Sequence, residues 1–317
     1  MSIPQLRKGR QLDIPVALIT TVTVIGLILL LGIPVAKLIG IGVSERGLAA
    51  ITQSFGANVD TLVNTLVLGL CVGIVGTFIG FVTAFAQVFL TFPGKKLLHW
   101  VTLLPTISPP FATATAIITL FGKRGIITYG IFGIENNIYG LVGLVIVLSL
   151  TFAPVAYLNI RGMMENFDNS LFEASATLGA KPLSTLVKVT IPMVVPAMLA
   201  SFLVLFVEGI ADLANPLVLG GDFRVLASQI YFAVAGSGDI ASAAGVALVL
   251  LLPALTVFAV QKYWSNRKSV ITVTGKPVGS LKEVTAPSVK IPMLIPVYGW
   301  IVFVIVVYMT LFVGSFV

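Results

Sequence analysis

Residues 62–90 read LVNTLVLGLCVGIVGTFIGFVTAFAQVFL, a run without a single charged side chain. A helix rises about 1.5 Å per residue and a bilayer's hydrocarbon core is about 30 Å thick, so about 20 apolar residues suffice to cross it. This run is long enough to span. Gly69, Gly73, Gly76 and Gly80 recur along it as small-xxx-small pairs, the pattern that lets helix backbones approach closely, and they read as a packing seam. Six more stretches qualify as spans, near 14–40, 98–121, 138–159, 191–219, 241–263 and 291–315. Composition agrees: the chain is 57% hydrophobic and 10% charged, against about a quarter charged in a soluble domain. The expected fold is an all-α polytopic membrane helix bundle of seven spans. The first span follows Arg7, Lys8 and Arg10, but its apolar run exceeds a signal core and shows no small-residue cleavage site, so a retained helix is expected.

Basic residues orient the bundle. With the N-terminus inside, only Lys37, Arg46, Lys123, Arg124 and Arg224 fall outside, leaving the other 14 of the 19 Lys and Arg on the inner side. That bias satisfies the positive-inside rule, and the reverse orientation violates it. A cytoplasmic N-terminal tail (1–13) is expected, together with two inner segments, a loop near 160–190 and a basic, Thr/Ser/Pro-containing linker at 264–290. The net charge of +7 therefore belongs to membrane orientation and not to nucleic-acid binding. Cys71, the single cysteine, allows no intrachain disulfide, and His99, the single histidine, has no second His or Cys nearby for a metal site. Neither a cofactor nor a catalytic residue is expected.

The inner loop carries the most specific pattern, NSLFEASATLGAKPLSTLVKVTIPM over 169–193. Ser170 with Glu173 three residues on suggests a capping box, and Leu171, Ala174 and Leu178 recur at helical spacing. Gly179 is placed to end the helix, and Pro182 to open a second one leading into the fifth span. On residues alone this is an interfacial helix lying on the membrane or a docking knob for a cytoplasmic partner.

Glu173-Ala174-Ser175, Gly179, Val189, Ile191 and Pro192 resemble the EAA loop of ABC importer permeases: E-A-A, three residues, G, nine residues, then I-x-L-P. Ser175, Val189 and Ile191 depart from that pattern by small-for-small or aliphatic exchange. The resemblance extends to Asn64-Thr65 and to Leu104-Pro105-Thr106-Ile107-Ser108-Pro109-Pro110, with Leu120-Phe121-Gly122 and Gly125 after it. It implies that Glu173, Ala174, Ser175, Gly179, Val189, Ile191 and Pro192 couple the spans to a separate ATP-binding subunit. It also implies an extracytoplasmic solute-binding protein as partner and a location in the inner membrane. Residues 211–221, with Val225-Leu226-Ala227, Ile230-Tyr231 and Val273-Thr274-Gly275-Lys276, resemble the ferric-iron branch. Aminoethylphosphonate, thiamine and polyamine permeases are similar alternatives. Gly275-Lys276 is no phosphate-binding loop, because Val270 stands where that motif needs its earlier glycine.

Within the fifth span, Glu208 and Asp212 are expected on one helix face, and with Asn215 they form a candidate acidic pathway for a cationic solute. A merely interfacial or structural role is the alternative. Pro105, Pro109 and Pro110 are expected to kink the third span. The seventh span follows a complete six-span unit (14–263), and Gly314-Ser315-Phe316-Val317 resembles the start of the second half of tandem-fused permeases. The chain thus reads as a first permease unit plus the first helix of a second, with a natural seven-span protein as the alternative. Two rival functions remain. A membrane-embedded enzyme would need a catalytic cluster at membrane depth, and a secondary transporter would need ion-coupling groups and no docking loop.

Overall fold

The computed structural model describes residues 14–267 and 284–316, and every regular element among them is helical. The tail at 1–13 and the linker core at 268–283, including Val273-Thr274-Gly275-Lys276, lie outside the described residues. α1 (Ile14–Leu27) runs through a π turn into α2 (Ile33–Gly42), and α3 (Glu45–Phe55) follows, its first turn capped where Gly47 N–H donates to Ser44 Oγ at 3.4 Å. α4 (Val59–Phe89) contains the run quoted above. After it come α5 (Lys95–Leu103), α6 (Pro110–Phe121), α7 (Leu141–Glu165), α8 (Asn169–Thr177) and α9 (Pro182–Thr185). α10 (Ile191–Ala211), α11 (Ala214–Leu219), α12 (Leu226–Tyr231), α13 (Ile240–Arg267) and α14 (Pro287–Gly314) complete the chain.

Among the described residues, six helices are long and apolar enough to cross a membrane, and seven if one bent pair counts as a single span. That pair is the third expected span, 98–121. The chain does not merely kink there. The helical stretches Lys95–Ile107 and Phe111–Ile131 meet at 111°, because Ser108 is extended before Pro109 and Pro110, and neither proline supplies the N–H that would continue the helix. The fifth span is also shifted from 191–219. A continuous helix runs Pro182–Ala211, 30 residues, and the chain leaves it at Asp212, whose backbone is extended.

The centre of the bundle is α4 packed on α7 and α10, with Leu68, Phe85, Leu144, Leu148, Tyr157 and Leu205 almost wholly withdrawn from the surface. The glycine seam explains the close approach. A Cβ on Gly73 would lie 2.7 Å from the Phe202 ring, and one on Gly80 would lie 2.8 Å from the backbone nitrogen of Tyr157. α3 and α2 pack on α13, where Ala50, Leu226, Val246 and Val249 form a second, smaller core. α14 lies against α4, α5 and α6, with Trp300 Nε1–H donating to Thr102 Oγ1 at 3.3 Å and Tyr298 O–H to the Pro93 carbonyl at 3.0 Å. The apolar side chains of α1 are exposed, as suits a helix whose solvent is lipid.

Candidate functional site

α8 starts two residues earlier than Ser170 suggests as a cap. Asp168 is the capping residue, its Oδ1 accepting the Ser170 N–H at 2.9 Å. A carboxylate caps as well as a hydroxyl does and here adds its charge to the positive helix end. Glu173 takes no part in a capping box. Its Oε1 accepts from Asn169 Nδ2 at 3.1 Å. Gly179 ends the helix as its sequence position suggests, at φ +73°, a conformation that side chains resist. The Gly179 and Ala180 N–H groups return to the carbonyls of Ala176 and Ser175, at 2.9 and 3.1 Å.

This knob has two sides. Phe172 is its inner anchor, its ring 5.5 Å from Phe89 at the end of α4 and 6.3 Å from Phe167. Ser175 Oγ shares a 2.8 Å hydrogen bond with Thr185 Oγ1, which ties α8 to the start of the next helix. The other side is open. Glu173, Ala174 and Gly179 are exposed, and Leu178 is 86% exposed at the tip. Small residues flanking an uncovered leucine and one carboxylate can receive a partner's groove and pair with a cation in it.

Val189, Ile191 and Pro192 sit on the helix Pro182–Ala211, which rises about 45 Å at about 1.5 Å per residue. The knob and the opposite end of the bundle are therefore joined by one continuous helix. At that far end Glu208 is exposed on α10, with no ion-pair partner among the described residues. Asp212 does not share its helix face, since α10 has already ended. Its carboxylate accepts the Asn215 N–H at 3.0 Å and Asn215 Nδ2 at 2.8 and 3.2 Å. Asn215 is 1% exposed, and its Oδ1 is buried without a partner among the described residues. Asp212 and Asn215 thus form one polar turn close after Glu208, built differently from an acidic helix stripe.

Sequence reasoning missed a second polar cluster, at the knob's end of the bundle. His99 on α5 bonds Tyr157 Oη through Nδ1 at 2.7 Å. Arg161 reaches both, at 3.0 and 3.2 Å, and pairs with Glu165 at 2.7 Å. The signal was the single histidine, whose partners lie 58 and 62 residues away in sequence. Asn64 and Thr65, noted only as a motif, hold the 220s loop: Asn64 Nδ2 donates to the Arg224 carbonyl at 3.2 Å and Thr65 Oγ1 accepts the Leu226 N–H at 2.9 Å.

Residues 76–270 match the family described as binding-protein-dependent transport system inner membrane component. The stretch includes the knob, the long helix and the Asp212 turn. The ferric transport system permease protein FbpB of Actinobacillus pleuropneumoniae is 34% identical over 267 residues, 82% of this chain and 39% of that protein. The putative ferric transport system permease protein FbpB 1 of Haemophilus influenzae is 34% identical over 86% of this chain and 44% of its own length. The chain thus spans about two fifths of the length of these curated relatives. In fold, it resembles a solved bacterial ABC transporter involved in the import of the acidic polysaccharide alginate, with a TM-score of 0.62 at 16% identity over 81% of this chain and 96% of that one.

Proposed function

Because the chain belongs to the binding-protein-dependent transport system inner membrane components, we propose that it forms the solute pathway of an ATP-driven importer. ATP hydrolysis is assigned to a separate cytoplasmic subunit that docks on α8. The observation that carries this reading is mechanical: an exposed knob is seated by Phe172 against the end of α4 and tied by Ser175 to a single helix that ends next to the Asp212–Asn215 turn. A push on the knob can therefore reach the far end along that helix. A secondary transporter has no use for such a device, and an enzyme would need catalytic partners beside Glu208.

The orientation that follows from the basic residues puts the N-terminus and α8 in the cytoplasm and the Asp212 turn at the outer face, where a solute-binding protein delivers cargo. Ferric iron is the solute we assign. Two relatives at 34% identity are named for ferric transport, and Glu208 with Asp212 supplies hard oxygen groups suited to a highly charged cation. A second permease unit completes the pathway, and α14 reads as that unit's first helix.

Glu208→Gln and Asp212→Asn keep shape and remove charge. Each is expected to cut cellular uptake of iron-55 about tenfold, the equivalent of about 1.4 kcal/mol, with the chain still recovered from membranes at normal abundance. Unchanged uptake in both would remove the acidic groups from the pathway.

A further inference from the structure

The His99 cluster has no part in the route from the knob to the long helix, yet its geometry is specific. Arg161 has only N–H groups to offer, so the ring nitrogen 3.0 Å from its Nη1 must present a lone pair. His99 Nδ1 is therefore unprotonated, the imidazole is neutral, and its proton sits on Nε2. Tyr157 Oη accepts from the same Nη1 at 3.2 Å and donates to Nδ1 at 2.7 Å. Tyr157 is wholly buried, so its hydroxyl depends on these partners. One lone pair thus serves two donors, while Glu165 holds the guanidinium by its Nε at 2.7 Å.

The place of this cluster gives it leverage. α5 is the first half of the broken third span, and Thr102 and Trp300 tie it to α14. Towards α7, the His99 contacts are its only side-chain hydrogen bonds among the described residues. Just beyond Arg161, α7 ends at Glu165, and Phe167 packs on Phe172 of the knob at 6.3 Å. His99 therefore joins the broken span to the support of α8. The other titratable groups on the helices packed against α5 are Asp60 and Cys71 on α4 and Lys290, Tyr298 and Tyr308 on α14, with Lys95 and Lys96 on α5 itself. None of these makes a hydrogen bond or ion pair with the ring among the described residues.

We propose that His99 is a positioning residue: through Arg161 it locks the broken span to the base of the knob, and the lock opens when the imidazole takes up a proton. Protonation puts an N–H where the lone pair was, leaves Arg161 and Tyr157 without their acceptor, and sets an imidazolium against the guanidinium at 3.0 Å. The lock is present while the ring is neutral and is lost as pH falls through its titration. Its consequence for transport rests on the reading of α8 as the docking point: acid on the side facing α8 uncouples the broken span from the push on the knob.

The test is electron spin resonance on the full chain in nanodiscs. Spin labels are placed at Lys96→Cys and Leu178→Cys, both exposed positions, in a Cys71→Ser background. The range from about pH 8 to about pH 5 brackets the ordinary histidine value of about 6.5. Across it the parent should pass from one label-to-label distance to a mixture containing a second. His99→Gln offers a side-chain carbonyl that accepts at any pH, so it should keep the single distance throughout, while Glu165 and the exposed carboxylates titrate alike in both proteins. A parent distance that does not change, or that changes equally in His99→Gln, overturns the lock. The measurement uses no ATPase and no solute. Its failure would leave the transport reading standing, and a failure of that reading would leave the measurement valid.

Discussion

Glu173→Arg is expected to abolish uptake, at least a hundredfold, while the chain remains inserted and folded. The expectation rests on where the side chain lies. Glu173 is exposed, and the hydrogen bond its carboxylate accepts from Asn169 is a solvent-facing contact. An exposed contact of that kind contributes at most about 1 kcal/mol to stability, so the variant should fold. At a docked surface the balance is different. Reversing a charge opposite a cation exchanges attraction for repulsion in a partly desolvated contact and costs several kcal/mol. Each 1.4 kcal/mol is a factor of about ten in binding. Uptake is the first readout, and ATPase activity in the assembled complex is the second. Uptake at the normal rate would mean that α8 does not couple.

Gly80→Leu acts by the opposite route and is expected to stop the bundle assembling. A Cβ at Gly80 would meet the Ala156 methyl and, at 2.8 Å, the backbone nitrogen of Tyr157. Backbone cannot rotate away as a flexible side chain would, so α4 and α7 must separate. Over-packing of that kind costs about 3 kcal/mol or more, and it falls on the pair that forms the centre of the molecule. The matched control is Gly26→Leu, because a Cβ on Gly26 meets nothing within 4 Å. Membrane abundance and thermal unfolding in detergent should show loss for Gly80→Leu and near-normal values for Gly26→Leu. Equal behaviour of the two would mean that the seam does not hold α4 to α7.

The contrast between these sites shows which features were readable in the residues. Spans were legible because lipid imposes a length and an apolar content, and the run at 62–90 meets both. The knob was legible because Gly179 is compatible with the left-handed turn that closes α8. The end of α10 was not, since 191–219 is apolar enough on average, despite Glu208, Asp212 and Asn215, that a hydropathy window runs across the break. The signal there was local: Asp212, three residues before Asn215, accepts that residue's N–H and starts a new turn. Asp168 was passed over for Ser170 because two capping residues stand two positions apart, and only the backbone decides between them. The short helices α3 and α12 escaped notice because neither is long enough to span. The prolines at 105, 109 and 110 announced a break, but not its 111° angle, which leaves α6 packed against α14 and α11.

The central claim is that α8 is the point at which an ATP-binding subunit moves this bundle. Its most direct measurement is site-specific cross-linking from Ala174→Cys, an exposed position on the knob, in a Cys71→Ser background that removes the single native cysteine. A bifunctional reagent applied to membranes should join Ala174→Cys to an ATP-binding polypeptide, with a yield that changes on adding ATP, whereas Gly26→Cys should capture none. Capture of no ATP-binding polypeptide from Ala174→Cys, in membranes that still import iron, would contradict the account.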